Sequence, residues 1–382
     1  MPWKEETVEN QRRTFVMEAA QEGSNISELC RQYGITRRTG YKWLQRYYEA
    51  RSMEDQSRRP IRTPGKTPEE IEEMILSVRM KHPTWGARKI LRHLSDKGNS
   101  CLPAPSTTTT ILKRNGFILP EESAAHTPFR RFERGAPNEL WQMDFKGHFA
   151  LQNAVRCHPL TMKDDYSRAL LCLDAYDNER WDSVKRSLIR VFTENGLPNA
   201  ILCDNGSPWG DSCNGYTPFE IWMMQMDVLP IHGRPGPPQT QGKEERFHRT
   251  LNEDVIKRIM LKDLEHAQQV FDAYRLEFNT ERPHSALGLD VPAKHYKAST
   301  KSFPTFVREP YYESGQTLRK VNCKGYVSIR RHRYYLSESF IGKYLEIVPA
   351  DEKIVSLCYG NFIVAKIDLE EHRFLSRKIF RR

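Results

Sequence analysis

No apolar run in this 382-residue chain approaches the roughly 20 residues that a membrane span needs. The N-terminal MPWKEETVENQRR also lacks the apolar stretch of a secretory signal. These absences leave a soluble intracellular protein as the expectation. The eight cysteines, at 30, 101, 157, 172, 203, 213, 323 and 358, include no two that lie two or three residues apart. A paired-cysteine zinc knuckle is thereby excluded, and the thiols read as single small hydrophobes in a reducing compartment. Acid is in deficit: 59 Lys+Arg stand against 49 Asp+Glu, a formal charge of +10 with a pI near 9.1. That balance speaks against an acidic small-molecule enzyme and for a polyanionic partner. Internal repeats and low-complexity tracts are missing too.

What is present is a change of grammar along the chain. At about 150 residues per domain, two to four units are expected. Residues 1–53 read as a compact helical unit, with a first helix near 8–21. Ser27 is expected to cap a short helix that Gly34 ends, and Thr36 to cap RRTGYKWLQRYYEA. Two short helices around a tight turn are helix-turn-helix grammar. The second carries Arg37, Arg38, Thr39, Lys42 and Arg46, which provide cations for phosphates and a short polar group for base edges. The bland alternative is a helical hairpin with a solvated basic face. A linker at 54–67 leads to a second helical unit at 68–119, read as DNA-binding, with a packing domain as its alternative. A linker at 120–137 precedes strands alternating with helices at 138–300, an α/β domain. Residues 301–382 alternate like short strands and predict a basic, β-rich domain, a small barrel or sandwich, with Arg330, Arg331 and Arg333 in one strand.

Three acids sit in unusual settings. Asp144 lies inside the apolar strand WQMDF, Asp204 closes AILCD before Asn-Gly, and Glu245 lies in the first turns of a helix opened by RPGPPQTQGKEER. Burying a carboxylate is costly unless it is paired or holds a cation. Three at one strand end repel one another unless a divalent ion neutralises them. Mg²⁺ takes a few carboxylate oxygens and leaves room for substrate phosphate.

WQMDF, CDNGSPW and HGRPGPPQTQGKEERFHRTL, followed by FNTERPHSALGLDVPAKHY, resemble in order the catalytic segments and tail of retroviral-integrase-type transposases from bacterial insertion sequences. With the N-terminal unit, the resemblance covers roughly residues 25–300. It implies a ribonuclease H-like core in which Asp144 binds both metals, Asp204 one and Glu245 the other. The cofactor implied is Mg²⁺, with Mn²⁺ substituting. Lys243 and Arg249 would touch DNA beside the metals. The implied partners are double-stranded DNA, both element ends and target, and further copies of the chain; the implied location is the bacterial cytoplasm and nucleoid. The chain departs from the family at two places. Glu244 stands where relatives have an apolar residue and rivals Glu245, and Pro237 stands where a histidine is common. On a helical wheel Glu244 leans with Phe247 and Leu251 toward the core, while Glu245 shares an edge with Arg249. Asp165 reads as closing a turn, and His248 as a helix-surface histidine.

The resulting expectation is a multidomain α/β protein: N-terminal helix-turn-helix units, a central ribonuclease H-like core and a C-terminal small β-barrel. Its function would be DNA transposition by metal-dependent strand cleavage and joining. The alternatives are a transposase-derived DNA-binding regulator with an inactive core, and a nuclease on RNA.

Overall fold

The computed structural model describes residues 7–55, 67–118, 134–209, 215–233 and 242–382. Most of both expected linkers, Cys213 and Pro237 lie outside the described residues. The chain forms two compact units, 1–66 and 67–382.

In the first unit, α1 (Val8–Ala19), α2 (Ile26–Gln32) and α3 (Arg37–Tyr48) enclose Phe15, Val16, Cys30, Trp43 and Leu44. Thr36 caps α3 as the sequence suggests, accepting from Thr39 N–H at 3.2 Å. The cap of α2 is Asn25, not Ser27: its side chain accepts from the N–H groups of Ser27 and Glu28. Gly34 has φ +64°, the left-handed turn between α2 and α3. Gly40 lets α3 approach α1 and α2, because a Cβ there would lie 2.5 Å from Cys30 Sγ and 3.0 Å from Phe15 Cζ. Gly40→Ala is therefore expected to cost about 1–3 kcal/mol by overpacking. Hydrogen exchange of α1–α3 measures it, and unchanged protection would refute this packing account.

The second unit starts with three helices, α4 (Glu69–Lys81), α5 (Ala87–Asp96) and α6 (Pro105–Arg114), around Ile75, Trp85, Ile90 and Leu112. The threonine run of α6 is helical because Pro105 opens it and Thr108, Thr109 and Thr110 return hydrogen bonds to carbonyls four residues back.

The sheet that follows contains β1 (Trp141–Phe145), β2 (Phe149–Ala150), β3 (Arg156–Asp164), β4 (Leu170–Tyr176), β5 (Ala200–Cys203) and β6 (Leu229–His232). β3 pairs antiparallel with β1, β2 and β4, whereas β5 and β6 run parallel to β1, giving the order β4-β3-β1-β5-β6. α7 (Trp181–Asn195) joins β4 to β5, and α8 (Pro218–Gln225) joins β5 to β6. These helices cover one face, over Trp141, Met162, Leu188 and Phe219. The other face is covered by α9 (Gly242–Leu251) and α10 (Leu264–Thr280), over Leu173, Phe247, Leu251 and Phe271. This is the ribonuclease H-like arrangement. The element α8–β6 escapes sequence reading: PFEIWMMQ is apolar on all sides, so it shows no helical period.

The C-terminal strands are β7 (Leu318–Lys320), β8 (Tyr326–Ile329), β9 (His332–Tyr335), β10 (Tyr344–Pro349), β11 (Ile354–Tyr359), β12 (Phe362–Asp368), β13 (Arg373–Ser376) and β14 (Phe380–Arg381). They form a sheet of order β13-β12-β11-β10-β7, with β14 on β12, and a separate β8–β9 hairpin. The expected small barrel is not closed: no pairing joins β13 to β7 among the described residues. Arg330 and Arg331 are likewise not strand residues. Both have positive φ, 44° and 70°, and form the hairpin turn. This region shares its apolar core with Tyr216, Ile221 and Met224 of the α/β part.

Candidate active site

The site grows from the centre of the sheet. Asp144 lies near the C-terminal end of β1, paired in register with Thr161 of β3. Asp204 directly follows β5, which is the parallel neighbour of β1. Two parallel neighbours thus deliver both aspartates to the same sheet end, the customary ligand end of an open α/β sheet. Burial first, then the charges of Glu244 and Asp204, push the Asp144 carboxyl up to about 7. Burial also raises Asp204, opposed by the Gly206 N–H, which donates to its carboxylate at 3.1 Å. Behind Asp204, its carbonyl lies 2.9 Å from His232 Nδ1, while Nε2 lies 3.1 Å from Glu220.

Helix α9 approaches from the covering face, and its two glutamates part company. Glu244 is 2% exposed beside buried Phe247 and Leu251; Glu245 is exposed. The helical wheel anticipated this divergence. Glu244 Oε2 accepts from the Thr161 hydroxyl at 3.3 Å, and that hydroxyl also donates to the Asp144 carbonyl at 2.9 Å. Glu244 Oε1 lies 3.3 Å from Lys163 Nζ, an ion pair without hydrogen-bond alignment, which leaves Oε1 buried with no donor. The Lys163 ammonium donates instead to the Lys243 carbonyl at 3.0 Å. Burial drives both groups toward neutrality, raising Glu244 and lowering Lys163.

Other expected residues fall as follows. Arg37, Arg38 and Lys42 are exposed on α3, but Arg46 stacks on Trp43 at 4.7 Å and Thr39 shares a 2.9 Å hydrogen bond with Thr36. Lys243 is bound internally to Asp165 at 2.5 Å, while Arg249 is exposed. Asp165 also accepts from Gln142 at 2.6 Å and the Arg134 N–H at 3.0 Å, so it ties the start of α9 to β1 rather than merely closing a turn. His248 is not a surface histidine: it is half-buried, 3.0 Å from Thr161, and burial followed by Lys163 and Lys146 lowers it to about 3.

One carboxylate escaped the sequence reading. Glu179, in the loop before α7, acts on both Asp144 and Asp204, and its Oε1 lies 2.7 Å from His158 Nδ1. No spacing signals it, because the loop brings it to the site only through the β4–α7 turn. Among the described residues, no three His, Cys, Asp or Glu side chains form a ready metal cage. The aspartate pair still suits Mg²⁺, which needs only one or two protein carboxylates when waters and phosphate complete the shell.

Descriptions of the integrase core domain match residues 134–238 and 226–292, and a helix-turn-helix domain and a homeodomain-like domain match 11–61 and 39–112. The chain carries an integrase core domain and helix-turn-helix domains and resembles proteins of bacterial insertion elements. The chain is similar to a protein of insertion element IS407 from Burkholderia multivorans, 28% identical over 48% of this chain and 61% of that one. A protein of insertion element IS476 from Xanthomonas euvesicatoria is 29% identical over 41% of this chain and 44% of its own length. The chain thus spans about half the length of these relatives. A solved structure of a simian T-cell lymphotropic virus intasome with a PP2A regulatory subunit aligns at 13% identity and a TM-score of 0.40, over 81% of this chain and 98% of that one. No described helix is long and apolar enough to cross a membrane.

Proposed function

We propose that the chain is a DNA transposase that binds the ends of its mobile element, cuts them and joins the 3′-hydroxyls to target DNA. The observation that carries this reading is the Asp144–Asp204 pair at adjacent parallel strand ends, where burial, then the charges of Glu244 and Asp204, raise the Asp144 carboxyl. Asp144 and Asp204 would hold Mg²⁺, or Mn²⁺ in its place. The ion, when bound, activates water or a 3′-hydroxyl and stabilises the leaving oxygen in phosphodiester displacement.

The third carboxylate is Glu245. It is exposed and free to approach a hydrated ion and DNA, whereas Glu244 is sealed in and paired with Lys163. Glu244 positions: through Thr161 it connects α9 to the strand carrying Asp144. Arg37, Arg38 and Lys42 contact the element end, and Arg249 the strand beside the carboxylates. Arg46 and Thr39 stabilise α3, and Lys243 orders the start of α9. Residues 1–53, 68–119, 138–300 and 301–382 act as end-binding, second DNA-binding, catalytic and basic C-terminal parts. Two ends must be held together, so the active form is a dimer or larger assembly on DNA in the nucleoid.

The test is cleavage and strand transfer on DNA carrying the element's own ends, with Mg²⁺ or Mn²⁺. Glu245→Gln is expected to lose both steps with unchanged urea stability; Glu244→Gln is expected to lose stability. If Glu245→Gln stays active while a stably folded Glu244→Gln is dead, the third role passes to Glu244. Specific binding by the wild type without cleavage in either metal favours the inactive-core regulator.

A further inference from the structure

β5 ends at Cys203, one residue short of Asp204. There the backbone ladder to β6 closes with the Gly233 N–H, which donates to the Cys203 carbonyl at 3.0 Å. The next carbonyl, that of Asp204, is met by a side chain instead: His232 Nδ1 lies 2.9 Å from it. A carbonyl oxygen only accepts, so Nδ1 is the donor; the Cys203 thiol, 3.8 Å from the same nitrogen, is the weaker contact. On the other side of the ring, Nε2 lies 3.1 Å from Oε1 of Glu220, a buried residue of α8. Glu220 is itself fixed, because its Oε2 accepts from the Thr217 N–H at 2.7 Å in the capping box that opens α8. The same cap holds the far end of the Asp204 loop. The Thr217 hydroxyl donates to the Trp209 carbonyl at 2.8 Å, and the Trp209 ring stacks on Phe145, the residue after Asp144, at 5.5 Å.

The loop that carries Asp204 is thus tied at both ends to the first turn of α8, and the tie nearest the carboxylate passes through His232. Asn205 adds a bond of its own, donating to the Gly233 carbonyl at 2.8 Å, so the path of the loop does not hang on His232 alone. A carboxylate is costly to bury unless it is paired, and the pairing of Glu220 serves to hold one ring against one backbone carbonyl. Ligating carboxylates take their orientation from such outer contacts. A misplacement of about 1 Å in a reacting group costs on the order of 10²-fold in rate. We propose that His232 is a positioning residue: oriented by Glu220, it fixes the Asp204 backbone so that the Asp204 carboxylate meets the divalent ion beside Asp144. Neither His232 nor Glu220 touches the ion. The inference rests on the transposase reading and deepens its metal site.

The experiment uses the full chain and Mn²⁺ as the probe. It reads the Mn²⁺ concentration that half-saturates the rise in melting temperature, the affinity for element-end DNA in metal-free buffer, and cleavage of that DNA across Mn²⁺. His232→Phe is expected to need about 10–100 times more Mn²⁺ for half-saturation, with DNA affinity unchanged and cleavage recovering as Mn²⁺ is raised. His232→Asn places an amide donor where Nδ1 stood but does not reach Glu220, and is expected to return the Mn²⁺ requirement most of the way to that of the wild type. Both variants strand Glu220, so a fall in metal-free stability common to the two belongs to that carboxylate and not to the Asp204 bond. A Mn²⁺ requirement left unchanged by His232→Phe overturns the inference. Equal increases in the two variants also overturn it, since the donor to Asp204 would then make no difference. A wild type that gains no stability from Mn²⁺ and cuts no DNA sinks both this inference and the transposase reading. A His232-dependent response to Mn²⁺ in a wild type that cuts nothing keeps the positioning role and removes the transposase reading.

Discussion

Asp144→Asn is expected to abolish metal-dependent strand cleavage and, in metal-free buffer above pH 7, to make the protein more stable. The two effects have one cause. Burial and the charges of Glu244 and Asp204 raise the Asp144 carboxyl from its ordinary 3.8 to about 7. A folded-state value above the unfolded one means that the native state binds the extra proton between those pH values. Stability therefore falls as pH rises from about 4 to 7, and the penalty is complete above 7. About three pKa units correspond to at most about 4 kcal/mol. Asparagine, uncharged at every pH, escapes this penalty, so wild-type and variant stabilities should converge near pH 4 and separate toward pH 8. Mg²⁺ is expected to raise the wild-type melting temperature and to leave the variant's nearly unmoved. Denaturation against pH, with and without Mg²⁺, reads both. Cleavage that survived Asp144→Asn would remove Asp144 from the mechanism.

The Lys163–Glu244 pair should show an equally large effect on stability. Lys163→Met strands a carboxylate that is 2% exposed, and Glu244→Met strands an ammonium in the same interior. Removing one partner of a buried pair costs about 3–5 kcal/mol, whereas replacing both with apolar groups of similar size is often neutral or stabilising. The double variant is thus expected to recover most of the loss in urea unfolding. On the proposed roles its cleavage should recover in part, since Glu245 is intact while the Glu244–Thr161 link that positions α9 is lost. Two additive single losses would mean that the residues do not act as a pair.

Much of the candidate site is legible in the sequence. Asp144 and Asp204 stood out because an acid within or just after an apolar strand is costly without a purpose, and the helical period alone separated buried Glu244 from exposed Glu245. Thr36 and Gly34 announced the turn between α2 and α3 because capping and left-handed geometry are local demands on local residue types. Other features were out of reach. Glu179 joins the aspartates through a loop, and Lys163 meets Glu244 across roughly eighty residues of chain; neither contact leaves a pattern in sequence. The Arg330–Arg331 turn lacks the Asn or Gly that usually marks such a hairpin, so it read as strand.

The sequence by itself determined where helices start and stop, which faces are apolar, the basic character of the chain and the order of its acidic segments, since each depends on neighbours a few residues apart. The tertiary structure decided which strands pair, that the C-terminal sheet stays open, and which charged groups find a partner. Those outcomes depend on groups distant in the chain sharing a region of low dielectric, where the cost of an unpaired charge is set by whatever the fold brings beside it.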